Sequence, residues 1–287
     1  MSLEIHNILS GRIEELKPKD DSERLSIARE LVQEIILLGL TRIGFGKIAA
    51  FHGGTALRIL YKLNRYSEDL DFCLISPDKS FSLNTALSPI LEELTHWGLQ
   101  TEITKKEKFT GNVQKLFIKE TSIGAILSIN THIHRMQKIT IKIEIDTNPP
   151  EGAIIESKLV EFPTDYYVTC HDITSLCAGK LHAILRRPYV KGRDWFDLLF
   201  YFNRKTSPNF SVLKNSLLQS DPLISLPNKL DHKWLNTALA TRIESIDFNA
   251  VKSDVRPFVF NMRDTDLWSN GYFLDKLELY SSHFKAT

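Results

Sequence analysis

Two neighbouring runs decide the fold: Phe51-His52-Gly53-Gly54-Thr55-Ala56-Leu57-Arg58, and then Arg65-Tyr66-Ser67-Glu68-Asp69-Leu70-Asp71-Phe72. The first reads as the end of a buried strand, Ile48 to Phe51, turned by two glycines into a short helix that Thr55 would cap and that would run to Tyr61. The second opens a strand, Asp69 to Ile75, with a carboxylate at its first and third positions. Strand side chains alternate with period two, so Asp69 and Asp71 fall on one face. Carboxylates that close repel each other unless a cation stands between them. The residues around them are apolar and β-prone, where an unpartnered carboxylate is costly to bury. The pattern therefore points to a divalent metal beside a phosphate. The phosphate would be held by backbone N–H groups at the glycine turn and helix start. Gly-Gly alone is a weak signal, because many strand-to-helix turns carry it for steric reasons.

Upstream, Asp21-Ser22-Glu23 predicts the start of a helix running to about Leu38. Leu25, Ala28, Val32, Ile35 and Ile36 form its apolar stripe and Gly39 its C-cap. Downstream, a helix is expected within Asn84 to Trp97, where Pro89 sets one possible start. Strands are expected over 99–104 and 113–120, with the charged run Lys105-Lys106-Glu107-Lys108 as a hairpin tip. Lys138 to Asp146 gives the clearest strand. Ile139, Ile141, Ile143 and Ile145 share one face, and Thr140, Lys142, Glu144 and Asp146 the other. An amphipathic edge strand accounts for this pattern without any function. A third metal-binding carboxylate would also look like this, and Glu144, at mid-strand, is favoured over Asp146.

Asn148-Pro149-Pro150-Glu151-Gly152 breaks the chain. It divides an expected domain 1–148 from a mainly helical domain 149–287. Helices are predicted over 173–187 (with Asp172 as N-cap), 193–202, 209–219, 229–244 and 264–283.

The 287 residues are enough for a sizeable core, and 43% hydrophobic with 25% charged residues is an ordinary globular balance. The formal net charge of +1 excludes a global basic field, so a nucleic-acid partner would be drawn by local patches. Such patches occur at 105–108, at Lys138 and Lys142, and over Arg186–Arg193, where Tyr189 and Trp195 could stack on a base. Three cysteines without a Cys-x-x-Cys indicate neither a disulfide framework nor a zinc site. No thiol nucleophile or Ser/His/Asp triad is suggested. His52 and His182 read more readily as packed or surface histidines than as ligands. The first apolar run, Leu31 to Leu40, is interrupted by Gln33 and Glu34 and too short to span a bilayer. With no signal-peptide pattern at the start, a cytoplasmic protein without a membrane partner is the simplest expectation.

Gly-Gly-Thr-Ala-Leu followed by Arg-Tyr-Ser-Glu-Asp-Leu-Asp-Phe resembles the signature of the AbiEii/AbiGii toxin family of nucleotidyltransferases, within the polymerase-beta-like superfamily. Lys180-Leu181-His182-Ala183, Lys191-Gly192-Arg193-Asp194-Trp195-Phe196-Asp197-Leu198 and Ser253-Asp254-Val255-Arg256-Pro257-Phe258 are similar to that family's later segments, in the expected order over roughly residues 45–260. Gly-Thr stands where many superfamily members carry Gly-Ser, and a threonine hydroxyl can serve the same phosphate.

The resemblance implies an α+β fold, a mixed sheet flanked by helices and followed by a helical C-terminal region. It implies transfer of a nucleoside monophosphate from an NTP to an acceptor such as tRNA, by the toxin of a toxin–antitoxin or phage-defence system. A cognate antitoxin would be its partner. Asp69, Asp71 and Glu144 would bind Mg2+ or Mn2+, and Glu144 could also take the acceptor's proton. Gly54 and Thr55 would hold the β- and γ-phosphates, and Lys180 would pair with triphosphate oxygens. Asp194 would orient Lys180 or contact nucleotide, a role that could move to Asp197 on the same helix face. Arg65 would meet phosphate or solvent. Lys180 and Asp194 would enter a cleft from the helical part. Two other readings stand beside this one: an enzyme acting on a small molecule or protein, and a nucleotide-binding module without turnover.

Overall fold

The computed structural model of the chain describes residues 2–104, 112–122, 132–134 and 136–285. It contains a mixed sheet of seven strands: β1 (Ala49–His52), β2 (Asp69–Leu74), β3 (Thr101–Thr104), β4 (Val113–Glu120), β5 (Ile139–Asp146), β6 (Ile155–Val160) and β7 (Tyr166–His171). Their spatial order is β3-β4-β5-β2-β1-β7-β6. β1 runs antiparallel to β2 and parallel to β7, while β2 and β5 are parallel neighbours. β4 is antiparallel to both β3 and β5. The chain divides into two compact units. The first takes residues up to Tyr61, then Tyr66–Pro149 and Ser157–Cys170; the second takes Lys62–Arg65, Pro150–Glu156 and everything from His171.

In the first unit the isoleucines of β5 are at most 1% exposed and form the core under the sheet. β5 is a central strand between β4 and β2, not the edge strand its alternation allowed. Its polar face is partly exposed, with charged side chains from β2 and β4 beside it. Helices α1 (Ser2–Glu15), α2 (Asp21–Arg42), α3 (Gly53–Tyr61) and α4 (Leu87–His96) complete the unit. Asp20 caps α2 by accepting from the Glu23 N–H at 2.8 Å. The expected stop at Gly39 does not occur, because that glycine serves packing. A Cβ there would lie 3.0 Å from Cβ of Glu93 on α4, so the helix passes through Gly39 and ends at Arg42. Gly44, at φ +72°, takes the left-handed turn instead. The run 105–108 lies outside the described residues.

The break at 148–152 is followed by β6 and β7 before the helices begin, two strands the periodicity did not separate. The second unit is then helical: α5 (Ile173–Arg186), α6 (Gly192–Asn203), α7 (Phe210–Ser220), α8 (His232–Glu244), α9 (Phe248–Val255) and α10 (Asn270–Lys285). Asp172 caps α5, accepting from the Ser175 N–H at 2.9 Å. Trp195, expected as a base-stacking surface, is 2% exposed. Its ring meets Phe248 and Phe273 edge-on at 5.2 and 5.4 Å, so it is a core residue. The glycine of Lys191-Gly192-Arg193 has a packing reason: a Cβ there would lie 2.2 Å from the Val251 carbonyl oxygen of α9. Its N–H donates to Asp254 at 2.6 Å. The late Ser253-Asp254 segment thus anchors the start of α6. Among the described residues no helix is long and apolar enough to cross a membrane.

Candidate active site

The sheet register collects a charged face from three strands. On β2, Asp71 stands opposite Glu144 of β5 on one side and opposite His52 of β1 on the other; Asp69, two residues back, stands opposite Lys142. Lys115 of β4 stands opposite Glu144. Paired residues point the same way, so Asp69, Asp71 and Glu144 share a face. Lys142 Nζ lies 3.0 Å from Asp69 Oδ2 and 3.3 Å from Glu144 Oε2, and Lys115 Nζ lies 2.7 Å from Glu144 Oε1. Asp71 forms no hydrogen bond or ion pair with any described residue. Burial pushes its carboxyl up; His52 opposes this, and the charges of Asp69 and Glu144 add to it. Burial also works against ionised Glu144, but Lys115 and Lys142 outweigh it and hold that carboxyl below the usual range. Burial alone would lower Lys142, yet Asp69 and Glu144 raise it.

The glycine turn packs onto this face. Gly53 has φ +79°, and a Cβ there would lie 2.4 Å from Asp71 Oδ2. Only glycine lets the chain turn into α3 against that carboxylate. Helix α3 begins at Gly53, so Thr55 is its third residue and not its cap. The Thr55 side chain is fully buried and its hydroxyl donates to the Asp69 carbonyl oxygen. That hydroxyl is engaged within the protein. The first backbone N–H groups of α3, those of Gly53, Gly54 and Thr55, have no partner within the helix by construction.

The residues fit a divalent cation in two respects. The donors are hard carboxylate oxygens, and Asp71 is a carboxylate that no described residue pairs with directly, although His52 and Lys142 act on it from a distance. Among the described residues, though, no three acidic, His or Cys side chains already converge as a ligand set. Lys142 stands between two of the three carboxylates.

The second unit holds a separate ionic cluster. Lys180 on α5 lies 2.8 Å from both Asp194 Oδ1 and Asp197 Oδ2 on α6. Spacing on α6 left the choice between these two acids open, and both engage the lysine. Arg187 also pairs with Asp194. Arg65 is 2% exposed and donates to both Asp197 oxygens at 2.7 Å. It does not meet solvent, one of the two expected roles, because its guanidinium is buried against a carboxylate. Burial disfavours charge on Lys180, yet Asp194 and Asp197 hold its pKa above the ordinary value. Burial likewise works against Asp194, which Lys180 and Arg187 hold down. Lys191, at the N-cap of α6, forms no ion pair with a described residue. Burial and then the Arg193 charge push its pKa down. Tyr189 is 62% exposed, with the Arg187 guanidinium 5.2 Å from its ring centre.

Sequence reasoning missed Lys115, Lys142, Arg187 and Lys191 as members of these clusters. Lys142 had a signal in its place two residues before Glu144, and Arg187 and Lys191 in the basic patch over 186–193; Lys115 had none. His182 contacts Ser220 at 3.1 Å and lies in neither cluster. All three cysteines are buried, and burial pushes Cys73 up to about 12, which leaves no activated thiol.

A model of the family described as nucleotidyl transferase AbiEii toxin, type IV TA system, matches residues 35–270. Comparison with curated proteins gives no match. Among solved structures, the chain is similar to a proposed nucleotidyltransferase from H. pylori, at 18% identity and TM-score 0.55, over 91% of this chain and 97% of that one. It is also similar to JHP933 from Helicobacter pylori, at 18% identity and TM-score 0.53, over 91% and 94% of the two chains. At that identity the two structures support the fold.

Proposed function

Because the chain belongs to the AbiEii nucleotidyl transferase toxin family of type IV toxin–antitoxin systems, we propose that it transfers a nucleoside monophosphate from an NTP to an RNA acceptor, tRNA in the first instance, with the face of Asp69, Asp71 and Glu144 as the catalytic centre. The observation that carries this reading is Asp71: a carboxylate with no ion pair or hydrogen bond to a described residue, seated against the glycine turn that starts α3.

Asp69, Asp71 and Glu144 would hold Mg2+ or Mn2+, which when bound stabilises charge on the attacking and leaving oxygens of an in-line displacement. The N–H groups of Gly53, Gly54 and Thr55 bind and orient the β- and γ-phosphates. Glu144 is kept ionised by Lys115 and Lys142, which suits a ligand better than a proton acceptor. In the helical unit, Lys180 and Asp194 are the proposed nucleotide residues. Lys191 joins them as the cation of that cluster with no carboxylate partner. Asp197 positions Lys180 and is not itself a nucleotide contact. A base-stacking role falls to Tyr189, the exposed ring beside Arg187, in place of Trp195.

The test is incubation with each α-labelled NTP, magnesium and total RNA, with protein and metabolite fractions in parallel. Label in an RNA band that Asp71→Asn abolishes supports the reading. Label only in protein or small molecules refutes the RNA acceptor and keeps the enzyme. Tight NTP binding without pyrophosphate release refutes turnover.

A further inference from the structure

Resting on the reading that Asp69, Asp71 and Glu144 hold a divalent cation, we propose that Lys142 is a built-in competitor of that cation, which makes the protein reject the bare ion and accept it together with a nucleoside triphosphate. Lys142 Nζ lies within 3.3 Å of an oxygen on each of Asp69 and Glu144, side chains from two different strands. A cation binding those carboxylates needs the same oxygens. The ammonium does not reach Asp71, so one carboxylate is left ready while the other two are covered.

Lys142 is fixed at its root, and its tip is held by these two ion pairs. Its backbone is in the central strand β5, between β4 and β2, and its side chain is 26% exposed. A lysine stem has four rotatable carbons, so the ammonium can leave the two oxygens without any change in the sheet. What decides whether it leaves is the charge it would move toward. With the ion alone, the displaced ammonium faces a site that has gained two positive charges, and repulsion opposes the exchange. With a triphosphate present, the ammonium exchanges carboxylate oxygens for phosphate oxygens. Nucleotide and ion therefore strengthen each other's binding, and by linkage the effect is reciprocal. Lys115 cannot play the same part. It contacts only Glu144, from the far side of β5, and keeps that carboxylate ionised in either state.

The experiment is Mn2+ titration by electron paramagnetic resonance, with and without an equimolar mixture of the α,β-methylene analogues of the four NTPs. The full chain, Lys142→Met, Lys142→Arg and Asp71→Asn are compared, each checked for folding by circular dichroism. The expected result is that Lys142→Met binds bare Mn2+ about ten-fold more tightly than the unmodified chain. The several-fold gain that nucleotide gives the unmodified chain should shrink in that variant, and Lys142→Arg should keep both properties. If Lys142→Met binds bare Mn2+ no better than the unmodified chain while Asp71→Asn has lost it, the competitor role is overturned and the metal reading stands. If Asp71→Asn binds Mn2+ like the unmodified chain, the carboxylate site itself is refuted, and the competitor role with it.

Discussion

The sheet face and the helical cluster use the same residue types to opposite ends. In the helical unit every carboxylate of the cluster is matched: Asp194 by Lys180 and Arg187, Asp197 by Lys180 and Arg65. The positive charge is in excess and Lys191 is the cation left over. On the sheet face the acids are in excess and Asp71 is the carboxylate left over. Buried ion pairs with full hydrogen bonding fix geometry more than they add stability. A half-buried carboxylate without an ion pair does neither, and strained electrostatics of that kind cluster at functional sites. The contrast separates a cluster whose acids are all paired from a face that keeps one acid unpaired.

The contrast is broken most forcefully by neutralising its two ends in turn. Asp71→Asn should reduce nucleotidyl transfer on the order of a thousand-fold, ~4 kcal/mol in barrier, while leaving the melting temperature equal or higher. A fall in both would make Asp71 a structural residue. Asp197→Ala should do the reverse. It strands Arg65 in a buried site, and urea unfolding should show a loss of about 3–5 kcal/mol; a loss under about 1 kcal/mol would mean the pair is as inconsequential as a surface one. Gly53→Ala comes next. A left-handed φ and a methyl against Asp71 Oδ2 predict a loss of roughly 1–3 kcal/mol, with a matching loss of nucleotide affinity by fluorescence titration.

The smallest effect is in pH, and its sign differs between the two regions. Asp71 has a folded pKa above its unfolded value, so its ionisation penalises the fold at neutral pH and the penalty fades as pH falls through the raised value. The melting-temperature advantage of Asp71→Asn should therefore be present at pH 8 and shrink by pH 4. Asp194 is depressed, so its contribution is complete above the ordinary carboxylate pKa and disappears as pH falls through the lower folded value. The deficit of Asp194→Asn should thus be full at pH 8 and fade only in strong acid. Identical pH profiles for the two variants would dissolve the distinction.

What could be read from the sequence depended on whether local pattern or distant pairing decided it. The isoleucine alternation of β5 and the glycine turn before Asp69-Leu70-Asp71 were legible because a strand's period and a turn's backbone demands are local. β6 was hidden because half of its side chains are exposed and only Val160 is buried, so an edge strand leaves little apolar period. β7, with Tyr166, Val168 and Cys170 buried in alternation, carries a readable signal in a stretch with no expected element. Gly39 looked like a stop because a glycine's need for close packing and its ease in a left-handed turn leave the same letter. Lys115 could not be found at all, since its place opposite Glu144 exists only once β4 and β5 are in register. The same holds for Arg65, whose partner is 132 residues further along the chain.

That last pairing bears on heredity. Residues 62–65 sit between two sheet segments in the sequence but belong to the helical unit. A recombination that kept residues up to 149 and replaced the rest would inherit Arg65 without Asp197, an arginine built for burial with nothing to neutralise it. The helical unit is therefore not a cassette that can be exchanged in one piece. An exchange of the helical unit has to carry residues 62–65 with it, so that the arginine and its aspartate pass on together.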